Sequence, residues 1–221
     1  MQPDYWQKRW AEGRIGWHQP EVNALLRRHW SALALPAGCH VFVPLCGKSA
    51  DMAWLAAQGH QVLGVELARD ACAAFFAENG LLPEVAAQRS FQRYRSARIE
   101  LLAGDAFGLD AHDLAQCSAG YDRAALIALP PDMRQRYAEQ VLGKLPIGCR
   151  TLLVTLEYPQ HEKAGPPFSV DQAEVERLFA AHWRIELLER RNILAQQPGF
   201  QAEGVIRLHS AAYRLSKASA D

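Results

Sequence analysis

The chain has 221 residues, a length that suits one domain with a well-buried core. Lys plus Arg and Asp plus Glu balance at 24 each, so no global basic field points to nucleic acid or to an anionic membrane. Hydrophobic residues make up 49% and charged residues 22%, an ordinary globular composition, and no run approaches the roughly 20 apolar residues of a membrane-spanning helix.

The first 30 residues hold four of the six tryptophans, Trp6, Trp10, Trp17 and Trp30, together with Tyr5. An aromatic segment of this kind is either a flap over a cleft or a patch that covers a sheet edge. The opening Met1-Gln2-Pro3-Asp4-Tyr5-Trp6 lacks the charged start and apolar run of a signal peptide. The five cysteines (Cys39, Cys46, Cys72, Cys117 and Cys149) are odd in number, scattered and without a Cys-x-x-Cys, which points to a reduced, cytoplasmic protein.

His40–Leu45 reads as a buried parallel strand. Ser49 can cap a helix with Met52, Leu55 and Ala56 at helical spacing, ended by Gly59. Gln61–Val65 is a second strand, closed by Glu66, and Asp70 can cap the helix that carries Cys72, Phe75 and Phe76 on one face. Residues 89–98, RSFQRYRSAR, read as a solvated loop, being too short and isolated for an RNA site on a neutral protein. Arg98–Leu102 is a third strand, ending in Gly104-Asp105, and Tyr121–Leu129 contains a fourth, broken by Pro130-Pro131. A helix over Asp132–Leu145 and a strand over Arg150–Glu157 follow. Ser169-Val170-Asp171-Gln172 has the capping-box pattern and opens a helix through Phe179. Trp183–Leu188 and Val205–Leu215 are two last strands, expected to pair antiparallel.

Strands alternating with helices imply βαβ units and a doubly wound sheet, with ligands held beyond the carboxyl ends of the strands. The Cys46-Gly47-Lys48-Ser49 turn imitates a phosphate-binding loop, but Phe42 stands where the first glycine of that motif is required. Glu66, 19 residues beyond Gly47, can accept hydrogen bonds from both ribose hydroxyls of an adenosine. A single glycine in the turn does not suit a pyrophosphate, which needs close backbone approach. The pattern therefore favours S-adenosylmethionine over a dinucleotide. Asp105 either holds an adenine edge or forms an Asx turn. Arg123, inside an apolar segment, either pairs with Asp122 or another carboxylate or faces the cleft, because an unpaired buried guanidinium is very costly. The eight histidines have no ligand spacing, and no metal is expected.

Taken together, YWQKRWAEGRIGWHQPEVN, VFVPLCGKSADMAWLAAQGHQVLGVELA and YDRAALIALPPDMRQRYAEQV resemble the thiopurine S-methyltransferase family in its bacterial form. Ala124 stands where the animal members generally have a glycine. The resemblance implies a Rossmann-like, seven-stranded, mostly parallel sheet with the last strand antiparallel. It implies one methyltransferase domain over residues 1–221, with residues 1–35 as an aromatic flap. It implies S-adenosylmethionine contacts at Trp10, Leu45, Glu66 and Arg123, with Asp105 and Ala106 at the adenine side. The implied acceptors are thiopurines and other aromatic or heterocyclic thiols, with selenium and tellurium compounds as a further association. Arg123 is the expected catalytic residue, favouring a thiolate; it stays protonated and cannot act as a base. The expected partner is a small-molecule thiol, with no nucleic acid or membrane, and the chain is expected to be a monomer. The rivals are a same-fold enzyme for thiocyanate or halide, a dinucleotide-dependent oxidoreductase, and an adenosyl-binding module without turnover.

Overall fold

The computed structural model describes residues 3–219; residues 1–2 and 220–221, the ends of the expected domain, lie outside the described residues. The chain opens with α1 (Pro3–Ala11) and α2 (Ala24–His29), then runs through β1 (His40–Pro44), α3 (Ala50–Ala57), β2 (Gln61–Glu66) and α4 (Arg69–Glu78). A hairpin of β3 (Glu84–Gln88) and β4 (Phe91–Ser96) leads into β5 (Ile99–Ala103) and β6 (Cys117–Arg123). There follow α5 (Pro131–Gln140), β7 (Arg150–Glu157), α6 (Gln172–Phe179), β8 (Trp183–Asn192), α7 (Pro198–Ala202) and β9 (His209–Lys217).

The strands of the described residues form one sheet in the order β3-β4-β5-β2-β1-β6-β7-β9-β8. β5, β2, β1, β6 and β7 are parallel, and β9 lies antiparallel between β7 and β8. The expected class of sheet, doubly wound with its last strand reversed, is present from β5 to β8. The hairpin widens it to nine strands.

Alternation along the strands builds a core on each face. On one face Val41 and Val43 of β1 belong to a buried cluster with Leu26 of α2, Met52 and Leu55 of α3 and Phe75 of α4. On the other, Phe42 of β1 and Leu153 of β7 join Tyr137 of α5 and Phe179 of α6. Each fully buried apolar side chain of this size contributes roughly 1.5–3 kcal/mol.

Local chemistry moves several elements from their expected places. The arginine-rich segment at 89–98 is not a loop. β4 buries Phe91 in one cluster and Tyr94 in the other, and its arginines pair across the sheet, Arg93 with Glu84 at 3.8 Å and Arg95 with Glu100 at 3.9 Å. β6 begins at Cys117 and stops at Arg123, so only the first three residues of the expected Tyr121–Leu129 segment are strand. It stops there because Ala124 turns left-handed, with φ at 70°, and Asp122 then accepts a hydrogen bond from Leu126 N. α5 ends at Gln140, before the expected Leu145, and Leu142–Lys144 is a separate turn. α6 is capped by Asp171, which accepts from Glu174 N at 2.9 Å; Ser169 instead accepts from Tyr158 N. Asp70 sits within the first turn of α4 and not at its cap. Ser49 caps α3 as expected, accepting from Asp51 N at 3.2 Å.

Asp122 is fully buried and accepts from Leu126 N at 3.1 Å and Tyr137 Oη at 2.7 Å. Burial pushes its carboxyl up to about 6, against the pull of those donors. A carboxyl raised in the folded state contributes stability that is full below its unfolded pKa, near 3.9, and is lost as pH rises through the folded value. Asp122→Asn cannot titrate. Urea unfolding between pH 4 and 7 should therefore show wild type losing on the order of 3 kcal/mol relative to the variant across that window.

Candidate active site

β1, β2, β5 and β6 end at one cavity of about 350 Å³, within the range of small-molecule sites. Trp10, Leu45, Glu66, Asp105, Ala106 and Arg123 all line it.

The turn after β1 carries two residues with positive φ, Leu45 at 45° and Gly47 at 53°. A Cβ at Gly47 would stand 3.1 Å from the Trp10 indole, so the glycine lets α1 lie close against the turn. Glu66 ends β2 with its carboxylate between this turn and the start of α4. Its Oε2 accepts from Gly47 N and its Oε1 from Ala68 N, both at 2.9 Å. Burial raises its pKa, while the N–H groups of Ala68, Gly47 and Leu67 pull the other way. Each oxygen keeps a lone pair for a further donor. A vicinal diol such as a ribose fits that arrangement.

Asp105 follows β5 and accepts from Phe107 N at 3.0 Å, an Asx turn that presents Ala106 to the cavity. At the end of β6, Arg123 pairs with Asp51 and not with Asp122. Its Nη2 donates to Asp51 Oδ2 at 3.1 Å and Ser49 Oγ at 3.0 Å, and its Nε to Asp51 Oδ2 at 3.3 Å. Burial alone would lower the guanidinium's pKa, but Asp51 and Tyr121 more than offset it and the group stays charged. The bonds to Asp51 and Ser49 use Nε and Nη2 and not Nη1. Arg123 is thus at once half of a buried pair and a wall of the cavity, with its side chain 12% exposed.

The aromatic segment divides. Trp6, Trp10 and Trp17 line the cavity, with Trp17 edge-on to Trp6 at 5.0 Å and to Trp10 at 6.0 Å. Trp30 is buried in the core and donates through Nε1 to His60 Nε2 at 3.0 Å. Indole faces attract a sulfonium cation.

Sequence reasoning missed Asp51. Its carboxylate is wholly buried and accepts four hydrogen bonds: Oδ1 from Asn23 N at 2.7 Å, Oδ2 from Tyr121 Oη at 2.9 Å and from two nitrogens of Arg123. Strand alternation was the available signal. It puts Tyr121 and Arg123 on the α3 face of β6 and Asp122 on the other. His18, also on the cavity wall, was passed over. Among the described residues no group of three or more His, Cys, Asp or Glu is placed to hold a metal ion.

This sheet order, with a cavity at the carboxyl ends of its parallel strands and an acid closing the second of them, defines a class I methyltransferase that uses S-adenosylmethionine. A 1,6-didemethyltoxoflavin-N1-methyltransferase from Burkholderia thailandensis, solved with S-adenosylhomocysteine, shares the fold at a TM-score of 0.63 and 18% identity, over 97% of this chain and 87% of that one. Residues 1–218 match the thiopurine S-methyltransferase family. A thiopurine S-methyltransferase of Xanthomonas campestris pv. campestris is 54% identical over 98% of this chain and 100% of its own. One from Pseudomonas fluorescens is 53% identical over 97% and 99%. The chain belongs to the thiopurine S-methyltransferase family.

Removing one partner of a buried ion pair strands the other charge, at about 3–5 kcal/mol. Asp51→Ala and Arg123→Ala should each lose stability on that scale in urea unfolding. The double variant should lose clearly less than the sum, because neither charge is then left alone.

Proposed function

We propose that the chain transfers the methyl group of S-adenosylmethionine to the sulfur of thiopurines and other aromatic or heterocyclic thiols. The observation that carries this reading is the meeting of Glu66, Arg123 and three indoles on one cavity. S-adenosylmethionine supplies a methyl group on a positively charged sulfur.

Glu66 is assigned to the ribose hydroxyls through its two remaining lone pairs. The Asp105-Ala106 turn is assigned to the adenine edge, and Leu45, on the cavity wall, to the cofactor. Trp10 offers its ring to the sulfonium and excludes water. Arg123 turns its unused Nη1 to an anion, the cofactor's carboxylate or the acceptor's thiolate. Attack by a thiolate on a sulfonium destroys both charges, so a dry aromatic site favours it over water. Alignment within about 3–3.5 Å does most of the remaining work, and no enzyme nucleophile is required. We assign residues 1–35 two tasks: the part up to His18 is the flap, and the part from Asn23 onward anchors it to the core.

The chain is read as a monomer that meets a small-molecule thiol and neither nucleic acid nor membrane. Among the described residues no helix is long and apolar enough to cross a membrane. The five cysteines are free and buried, which supports a reducing, cytoplasmic setting.

Labelled S-adenosylmethionine offered with 6-mercaptopurine, thiophenols, selenite, tellurite, thiocyanate and halide tests the acceptor class. Methylated thiopurine and thiophenol are expected. Methylation of thiocyanate or halide alone, or cofactor binding without turnover, would overturn the reading.

Glu66→Gln bears on the cofactor. The amide loses charge-assisted hydrogen bonds worth about 1.5–3 kcal/mol each, so calorimetry should find affinity for S-adenosylhomocysteine reduced tenfold or more. The new NH2 also faces Gly47 N or Ala68 N, and the free protein should lose about 1–3 kcal/mol.

A further inference from the structure

The cavity holds several groups able in principle to take up a proton, and most are committed. Asp51 accepts four hydrogen bonds and is wholly buried. Glu66 accepts from Gly47 N and Ala68 N. Lys48 is paired with Glu78. Burial holds the Tyr121 hydroxyl and the Cys46 thiol in their protonated forms. Asp105 follows β5, three strand positions from the end of β6, roughly 14 Å from Arg123 by strand spacing.

His18 is different. It lines the cavity, half-buried, directly after Trp17. Its backbone N–H donates to Ile15 O at 2.8 Å, which fixes the turn that presents it. Its imidazole makes no hydrogen bond among the described residues. Burial lowers its pKa, Lys48 and Arg123 lower it further, and Glu78 alone opposes them. At neutral pH the ring is therefore uncharged, with a lone pair to offer. The two cations also favour a thiolate bound beside them, so proton donor and acceptor are tuned in the same direction.

We propose that His18 is the proton acceptor for thiols that enter the site protonated. This rests on the reading of the chain as a thiol S-methyltransferase. The S–H bond breaks, the proton goes to the imidazole, and the electron pair stays on the acceptor sulfur. That sulfur forms its bond to the methyl carbon as the carbon–sulfonium bond breaks, its pair remaining on the sulfur of S-adenosylhomocysteine. The imidazolium then returns its proton to water. Thiols already ionised in solution bypass the first transfer, and Arg123 alone serves them.

The test uses the whole protein, wild type and His18→Gln, with benzyl mercaptan, protonated at neutral pH, and 4-nitrothiophenol, already ionised. The rate constant kcat/KM of the variant should fall by about 100-fold more for benzyl mercaptan than for 4-nitrothiophenol, and raising the pH should narrow that gap. A second readout needs no turnover. In wild type bound to S-adenosylhomocysteine, nitrogen NMR at pH 7 should show the unprotonated His18 ring nitrogen move upfield when benzyl mercaptan is added, as it accepts a hydrogen bond from the S–H. Equal losses for both thiols, or a His18 nitrogen signal that benzyl mercaptan leaves unmoved, would overturn the proposal and leave the S-methyltransferase reading standing. Wild type that methylates neither thiol would overturn both.

Discussion

A carboxylate sealed inside a protein has to find donors for its lone pairs and a countercharge for its net charge. Asp51, in the first turn of α3, finds both, and the rest of the site is arranged around the result. Asn23 at the start of α2, Tyr121 and Arg123 at the end of β6, and Ser49 at the cap of α3 all converge on one hydrogen-bonded group. Three separate parts of the chain are thereby fixed relative to one another. The arrangement solves a further problem, since a guanidinium meant to face a ligand must be held still without being used up. Asp51 and Ser49 occupy Nε and Nη2 and leave Nη1 to the cavity.

Glu66 shows the same economy on the cofactor side. Its backbone donors come from the turn after β1 and the approach to α4, so the residue stitches two βα junctions together before any ligand arrives. The left-handed turn at Leu45 and Gly47 makes this possible. A phosphate-binding loop would direct that backbone at an anion supplied from outside; here the anion is the protein's own glutamate. The likeness of Gly47-Lys48-Ser49 to such a loop is therefore misleading in sequence and intelligible in space.

The parallel strands were legible because they are buried on both faces and appear as continuous apolar runs, and their carboxyl ends led directly to Leu45, Glu66, Asp105 and Arg123. What stayed hidden depended on partners remote in sequence. Phe91 and Tyr94 are interleaved with Arg93 and Arg95, whose acids, Glu84 and Glu100, lie on neighbouring strands, so a strand inside the sheet, between β3 and β5, read as a basic loop. Asp51 is an acid in the first turn of a helix, a position where acids are common on surfaces, and nothing local marks it as buried. The sequence leaves Arg123 open between Asp122, another carboxylate and the cleft, although alternation along β6 separates the side chains of Arg123 and Asp122 by construction. Ser169 matched a capping box but was drawn to Tyr158 N by the fold, leaving the cap to Asp171.

From Tyr5 to Pro20 no described side chain is buried. α1 and the turn that follows lean on the cavity, on Gly47 and on one another's rings, while the chain beyond Asn23 is anchored in the core. The apolar faces of Trp6, Trp10 and Trp17 thus lack a solid floor until something fills the space beneath them. A ligand entering that space buries its own surface and three indole faces together. Its association should carry a heat-capacity decrease larger than its size alone would give. In this sense the bound molecule completes a hydrophobic core that the polypeptide leaves one layer short.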